Sequence, residues 1–376
     1  MNTGPLAGVR IIEVGHMLAG PYCGMLLADM GAEVIKIEPA EGDIGRKVSP
    51  HFVGPHNAYF ASLNRSKKSV VLDLVSPAGR MELEDLAAGA QALITNLRPS
   101  AIKKLGLTYQ SLKHCNNKLV CVALTGYGLD GPYAESPAYD YVIQALTGVM
   151  ALTGDPSAPP TKTGYSAVDN SAGIMAAMAL LAKIVEGRGG QVDVAMYDVM
   201  LSQLNYLAGA SLNAGEVMGR LANSSHPYMV PAQIFPTKDG WLTLFITHDK
   251  FWHVFCREVG RPQWLADPVF ATMASRRENR TAVLSAIGSV LLQAPASQWV
   301  SRLAPLGVVV AEVGTMAQAL DSGQARSRDM IVALGDGSHA LRAVGSAVKF
   351  EGYTPAYGMP PLLDEHRDAV LRKAAA

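Results

Sequence analysis

Ile11-Ile12-Glu13-Val14-Gly15-His16-Met17-Leu18-Ala19-Gly20-Pro21 is an apolar run, a loop and a helix start in close succession. Val9–Val14 has the length and composition of a strand, and Pro21–Met30 reads as the helix behind it. Pro21 presets the first helical turn, and Gly20 lets backbone approach something closely. A loop at the carboxyl edge of a first parallel strand is where α/β folds receive nucleotides. The stretch is not GxGxxG, and Pro21-Tyr22 stands where a P-loop carries Lys-Ser/Thr. A tight turn without a ligand fits the same spacing.

Outward from this stretch the pattern repeats. Glu33–Glu38, Ser69–Asp73, Ala92–Asn96, Leu119–Leu124 and Gln191–Ala195 read as strands. Helices are expected at Pro77–Ala88, Tyr139–Leu152 and Asn170–Glu186, the last apolar all round and so expected to be buried on most sides. Alternating strands and helices predict an α/β fold on a parallel sheet. Residues 208–232 are small and polar, with prolines at 227 and 231, and read as a linker. Trp241–Thr247, opened by the Asp239-Gly240 turn, starts a smaller α+β domain over 233–325, with helices near 249–259, 280–293 and 297–304. A late strand, Ala347–Phe350, and a helix from Glu365 follow.

Length and composition narrow the function classes. The chain has 376 residues, 49% of them apolar and 17% charged, enough for two cores and sparse in surface charge. Lys plus Arg (32) balances Asp plus Glu (32), so no overall field favours nucleic acid or an anionic membrane. The cysteines at 23, 115, 121 and 256 form neither a disulfide framework nor a zinc pattern, and no metal site is expected. The first residues, MNTGPLAGVR, lack the features of a secretory signal, and stretches such as Gly173–Val185 are short for a bilayer. A cytoplasmic protein is expected.

Four motifs hold candidate chemistry. Asp169 precedes a helix-forming run and suits an N-cap. The same place would keep a carboxylate ionised as a nucleophile, with small Ala172 and Gly173 leaving room for an oxyanion. Asp140, in Tyr139-Asp140, opens another helix, either to orient a reacting group or to complement the dipole. Asn96-Leu97-Arg98-Pro99, with Lys103 and Lys104 beyond, offers cations past a strand end, where a phosphate or plain solvent would suit them. His226-Pro227 lies in the linker, where a lone histidine is usually a surface residue.

Taken in order, these pieces resemble the family III CoA-transferases, a group that includes formyl-CoA:oxalate transferase, L-carnitine CoA-transferase and the α-methylacyl-CoA racemases. The resemblance runs from Leu6-Ala7-Gly8-Val9-Arg10-Ile11-Ile12-Glu13 through Ala19-Gly20-Pro21, the segment Leu27–Glu38 and Asn64-Arg65-Ser66-Lys67-Lys68-Ser69. It continues through Asn96-Leu97-Arg98-Pro99, Thr125-Gly126-Tyr127-Gly128, Asp169…Gly173 and Gly187-Arg188-Gly189-Gly190-Gln191 to Pro361-Leu362-Leu363-Asp364-Glu365-His366.

That resemblance implies a Rossmann-like large domain built from both chain ends, here 1–207 and 326–376, and an interlocked homodimer. It makes Asp169 the catalytic residue, passing through aspartyl anhydride and aspartyl-CoA. Coenzyme A, a substrate rather than a resident cofactor, would lie along His16, Met17, Leu18, Ala19, Leu72, Asn96, Leu97 and Lys104, with Tyr139 and Met200 beside the thioester. Tyr59 and Asp140 would face the acyl part, and His226 is a further substrate candidate. The partners implied are an acyl-CoA and a small carboxylic acid.

Departures from the family matter. Leu18 replaces a glutamine, Pro39 an adenine-stacking arginine, and His226–Pro231 a glycine-rich flap, so formyl and oxalate groups are not the expected substrates. A C4–C6 dicarboxylate or a branched acid is expected instead, with Arg46, His51 and Arg65 as candidates for its distal carboxylate. The racemases place histidine in Gly-His-Asp, where this chain has Ala138-Tyr139-Asp140, and a phenol is a poor base at neutral pH. A 2-methylacyl-CoA racemase and a non-catalytic CoA-binding paralogue are the alternatives.

Overall fold

The computed structural model describes residues 4–335 and 340–374. Two compact units make up the chain, one of residues 1–147, 163–214 and 322–376, the other of 148–162 and 215–321. The segment 148–162, read from the sequence as part of the large domain, belongs to the second unit.

The first unit is built on a six-stranded parallel sheet. Its strands are β1 (Arg10–Val14), β2 (Glu33–Glu38), β3 (Lys68–Val71), β4 (Ala92–Thr95), β5 (Val120–Thr125) and β6 (Gly190–Ala195). They lie in the order β3-β2-β1-β4-β5-β6, which reverses direction between β1 and β4. This is the doubly wound order, and its crevice opens at the carboxyl ends of those two strands. β4 and β5 are buried at every position, as expected of strands covered on both faces.

Helices α1 (Ala19–Asp29), α2 (Ala58–Asn64), α3 (Pro77–Ala88), α4 (Pro99–Lys104), α5 (Asp140–Leu146), α6 (Ala167–Glu186) and α7 (Met196–Gln203) pack in this unit. The helix expected over Tyr139–Leu152 is broken. Gly148 has φ +83°, the left-handed conformation that ends helices, and it splits α5 from a short turn at Val149–Leu152 in the second unit.

α6 is also less buried than expected. Ala172, Ala176 and Leu180 are fully buried in one stripe, while Ile174 and Met178 are about half exposed. Its 20 residues are long and apolar enough to cross a membrane, longer than the Gly173–Val185 stretch considered above. Here its buried stripe packs against α1. The start of the 208–232 segment is helical, in α8 (Asn205–Ala214).

The second unit carries an antiparallel sheet of β7 (Ala232–Pro236), β8 (Trp241–Phe245) and β9 (Val309–Glu312), in the order β9-β8-β7. Helices α9 (Asp249–Glu258), α10 (Arg280–Leu291) and α11 (Ala296–Leu303) close its core over Trp252, Phe255 and Trp299. At the end of the chain, the strand expected at Ala347–Phe350 is absent. A hairpin of β10 (Ile331–Leu334) and β11 (Leu341–Val344) in the first unit takes that part, because those two segments find each other as partners. Phe350 makes only an isolated bridge to Tyr353. Helix α12 (Arg367–Ala374) closes the chain.

Candidate active site

The crevice between β1 and β4 widens into a cleft of ≈ 530 Å³. The loop after β1 supplies His16, Met17 and Leu18, and the first turn of α1 supplies Ala19. Asn96 to Ala101 come from the end of β4 and the start of α4, Tyr139–Tyr141 from the start of α5, and Ser166 and Asp169 from the start of α6. First turns converge here because every crossover helix of a parallel sheet begins at the carboxyl edge. Their positive dipole ends favour an anion in the cleft.

Asn96 ties the two sides of the switch point together. Its Oδ1 accepts from His16 N at 3.0 Å, and its Nδ2 donates to the His16 carbonyl at 2.9 Å. Only a residue without a side chain fits at 15, since a Cβ there would sit 2.5 Å from Asn96 Oδ1.

Beneath the loop lies a cluster of buried charges that sequence reading missed. Glu13 and Lys36 are register partners on β1 and β2, and Lys36 Nζ is 2.9 Å from Glu13 Oε1 and 2.8 Å from Asp43 Oδ2. Lys67 Nζ is 2.7 Å from the other Glu13 oxygen. Burial works against the charged form of each group, and the paired charges still hold the Glu13 and Asp43 carboxyls below the usual range. The signal was present in Ile-Ile-Glu-Val and Val-Ile-Lys-Ile: a charge inside a strand buried on both faces must be paired.

Asp169 lies in the first turn of α6, not at its cap. The cap position is Ser166, whose side chain makes no capping bond. Asp140 supplies one from α5 instead: its Oδ1 accepts from Val168 N at 2.8 Å, and its Oδ2 accepts from Gln144 Nε2 at 2.6 Å. Gln144 Oε1 in turn accepts from Thr163 N at 2.9 Å. Asp140 is thus buried and fully engaged, and its charge stands near Asp169.

Burial first, and Asp140 second, push the Asp169 carboxyl up to about 7. Burial and the Asp140 charge thus act against the helix dipole, which favours the ionised form. The room expected at Ala172 and Gly173 is also filled. A Cβ on Gly173 would lie 2.9 Å from the Ala19 carbonyl and 3.0 Å from the Tyr22 ring, so the small residues serve the contact between α6 and α1. Beside Asp169, Tyr59 has its phenol pushed up to about 12 by burial, then by Asp169 and Asp43.

His16, Met17, Leu18, Ala19, Tyr59, Asn96, Leu97, Tyr139, Asp140 and Asp169 all line the cleft. Leu72 does not, being packed in the apolar core with Val70 and Leu83. Lys104 is exposed at the end of α4, and Met200 is buried one turn beyond Met196, which does line the cleft. His226 belongs to the second unit, where Nδ1 accepts from Tyr228 N at 3.1 Å and its ring meets Phe245 edge-on.

Arg98, from the Asn96-Leu97-Arg98-Pro99 motif, also lines the cleft. Two of the expected carboxylate holders are occupied elsewhere. Arg46 binds Glu38 at 2.7 Å and lies over Phe60. Arg65 is buried against Asp29 at 2.5 Å and donates to the Val344 carbonyl. His51 is exposed and outside the cleft lining.

A doubly wound sheet with a helix-lined cleft at its switch point places this chain among the α/β proteins that receive ligands at the carboxyl edge of the sheet. The family described as CoA-transferase family III matches residues 6–367, and the chain belongs to that family. It is 32% identical to acetyl-CoA:oxalate CoA-transferase of Acetobacter aceti, over 99% of this chain and 96% of that protein. It is also 32% identical to succinate–glutarate CoA-transferase of Agrobacterium fabrum, over 98% and 95%. Among solved structures, a CaiB/BaiF family protein from Brucella suis aligns with TM-score 0.87 and 30% identity, covering 99% of each chain.

Proposed function

We propose that the chain transfers coenzyme A from an acyl-CoA to a free carboxylic acid, with Asp169 as the covalent carrier. The observation that carries this reading is the Asp169 carboxyl in the wall of the cleft, on the first turn of α6. A carboxylate Oδ attacks the thioester carbonyl and the CoA thiolate leaves, giving an aspartyl–acyl anhydride. The thiolate attacks the aspartyl carbonyl and releases the donor acid, giving aspartyl-CoA. The acceptor carboxylate then displaces the thiolate to form a second anhydride, and thiolate attack on its acyl carbon frees the new thioester and Asp169. Each step exchanges one activated acyl bond for another, so none has to climb far.

Coenzyme A would follow the loop after β1 and the Asn96–Ala101 turn, where Arg98 and the helix dipoles suit its phosphates. Leu18 and the absence of a glycine-rich flap support an acceptor of C4–C6 dicarboxylate or branched type, and the Agrobacterium relative carries the names of two such diacids. The Acetobacter relative is named for oxalate, so a panel of acids including oxalate is the discriminating measurement. The exposed Ile174 and Met178 on α6 support the expected homodimer, and a cytoplasmic location is in keeping with free CoA pools.

Trapping tests the carrier. Hydroxylamine added with an acyl-CoA should convert Asp169 to its hydroxamate, seen as a mass change on the peptide that contains it. No adduct with acyl-CoA bound would leave a CoA-binding protein without transfer chemistry. Asp169→Asn should abolish exchange while retaining CoA affinity. Solvent deuterium appearing in a 2-methylacyl-CoA would point to the racemase instead.

A further inference from the structure

We propose that Lys36, Asp43 and Lys67 are positioning residues that lock the loop 15–21 in the conformation that receives coenzyme A. This inference rests on the cleft being the CoA site. The buried ion cluster is tied to the loop backbone at three points. Lys36 Nζ donates to the Gly15 carbonyl at 2.9 Å, Asp43 Oδ1 accepts from Met17 N at 3.1 Å, and Lys67 Nζ donates to the Pro21 carbonyl at 2.7 Å. The Lys36 and Lys67 side chains are fully buried and that of Asp43 nearly so.

The loop needs such a hold. Met17 has φ +62°, a left-handed conformation that a non-glycine residue adopts at a cost of about 1 kcal/mol or more. A free loop would relax out of it. Asp43 is itself fixed, its Oδ1 accepting from Gly45 N at 2.8 Å and its backbone N donating to Glu38 Oε2 at 2.9 Å. Sheet strands β1 and β2 therefore transmit their rigidity to the Met17 N–H and the Gly15 carbonyl through charges rather than through a glycine-rich phosphate loop. None of the three residues lines the cleft, so their effect on a ligand passes through the backbone they hold.

Asp43→Asn and Met17→Gly, singly and together, test this. Calorimetric titration with free coenzyme A and steady-state rates with an acyl-CoA are the readouts. Asp43→Asn should raise KM for acyl-CoA and weaken CoA binding by about tenfold or more, with kcat at saturation within about threefold, since positioning acts on the bound geometry. Glycine adopts φ +62° without strain, so Met17→Gly should shrink the Asp43→Asn effect in the double variant.

An unchanged KM, a fall in kcat alone, or an equal loss in the Met17→Gly background overturns the proposal. Should Asp43→Asn fail to fold, Met17→Val against Met17→Gly decides, because valine is averse to positive φ and neither change touches the buried charges. Valine must then bind CoA less well than glycine, and the reverse order overturns the idea. A parent protein that does not bind coenzyme A at all sinks the function assigned to the cleft, a separate result.

Discussion

At the scale of single residues, Asp169 sets the pH behaviour. Its carboxyl is pushed up to about 7, and in the proposed reaction its ionised form is the nucleophile. Transfer measured as kcat/KM should therefore rise with pH and level off above about 7. Asp140→Asn removes the second cause of the shift and should move that midpoint to lower pH. It should also cost about 1–3 kcal/mol in urea unfolding, since one of its two buried hydrogen bonds would face a like donor.

Stability follows the opposite sign. An acid with a folded pKa above its unfolded value favours folding only while protonated, so stability falls as pH rises from about 4 to about 7. The loss attributable to Asp169 is about 4 kcal/mol at most. Asp169→Asn should melt with the parent near pH 4 and above it at pH 8 by calorimetry.

At the scale of elements, α1 and α6 form one contact that serves the cleft on both sides. Gly173 lets the two helices approach, with the Ala19 carbonyl 2.9 Å from where a Cβ would stand. Gly173→Ala should cost about 1–3 kcal/mol as overpacking. It should also weaken CoA binding, because Ala19 and Asp169 lie on the two helices it drives apart; chemical denaturation and CoA titration read the two effects.

At the scale of the whole molecule, each unit has its own core, and all four tryptophans, at 241, 252, 264 and 299, fall in the second. Trp252 stacks on Trp264 at 6.0 Å, and Trp264 on Phe270 at 4.9 Å. Arg276 is buried over Trp252, donating to the Val230 and Phe270 carbonyls. Arg276→Ala leaves those carbonyls unpaired and opens a cavity, at a cost of about 3 kcal/mol or more. The tryptophan fluorescence transition should move to lower urea, reporting on the second unit alone.

Much of this molecule was written in its sequence because local physics suffices for it. The β1 loop, the strands Glu33–Glu38 and Ala92–Thr95, the helix Pro77–Ala88 and the place of Asp169 at a helix start follow from periodicity, proline and cap chemistry. The ordered motifs carried the family, and most of the site residues expected with it do line the cleft. What depended on partners was not legible. Whether Tyr139–Leu152 was one helix hung on the left-handed Gly148, and whether 347–350 was a strand hung on a neighbour that chose 341–344 instead. The Asp169 protonation state was decided by burial and by Asp140 across the helix start, and the grip on the β1 loop by charges from positions 13, 36, 43 and 67. Those interactions join residues distant in the chain, and a carboxyl or an ammonium acquires its energy from neighbours that only folding brings near.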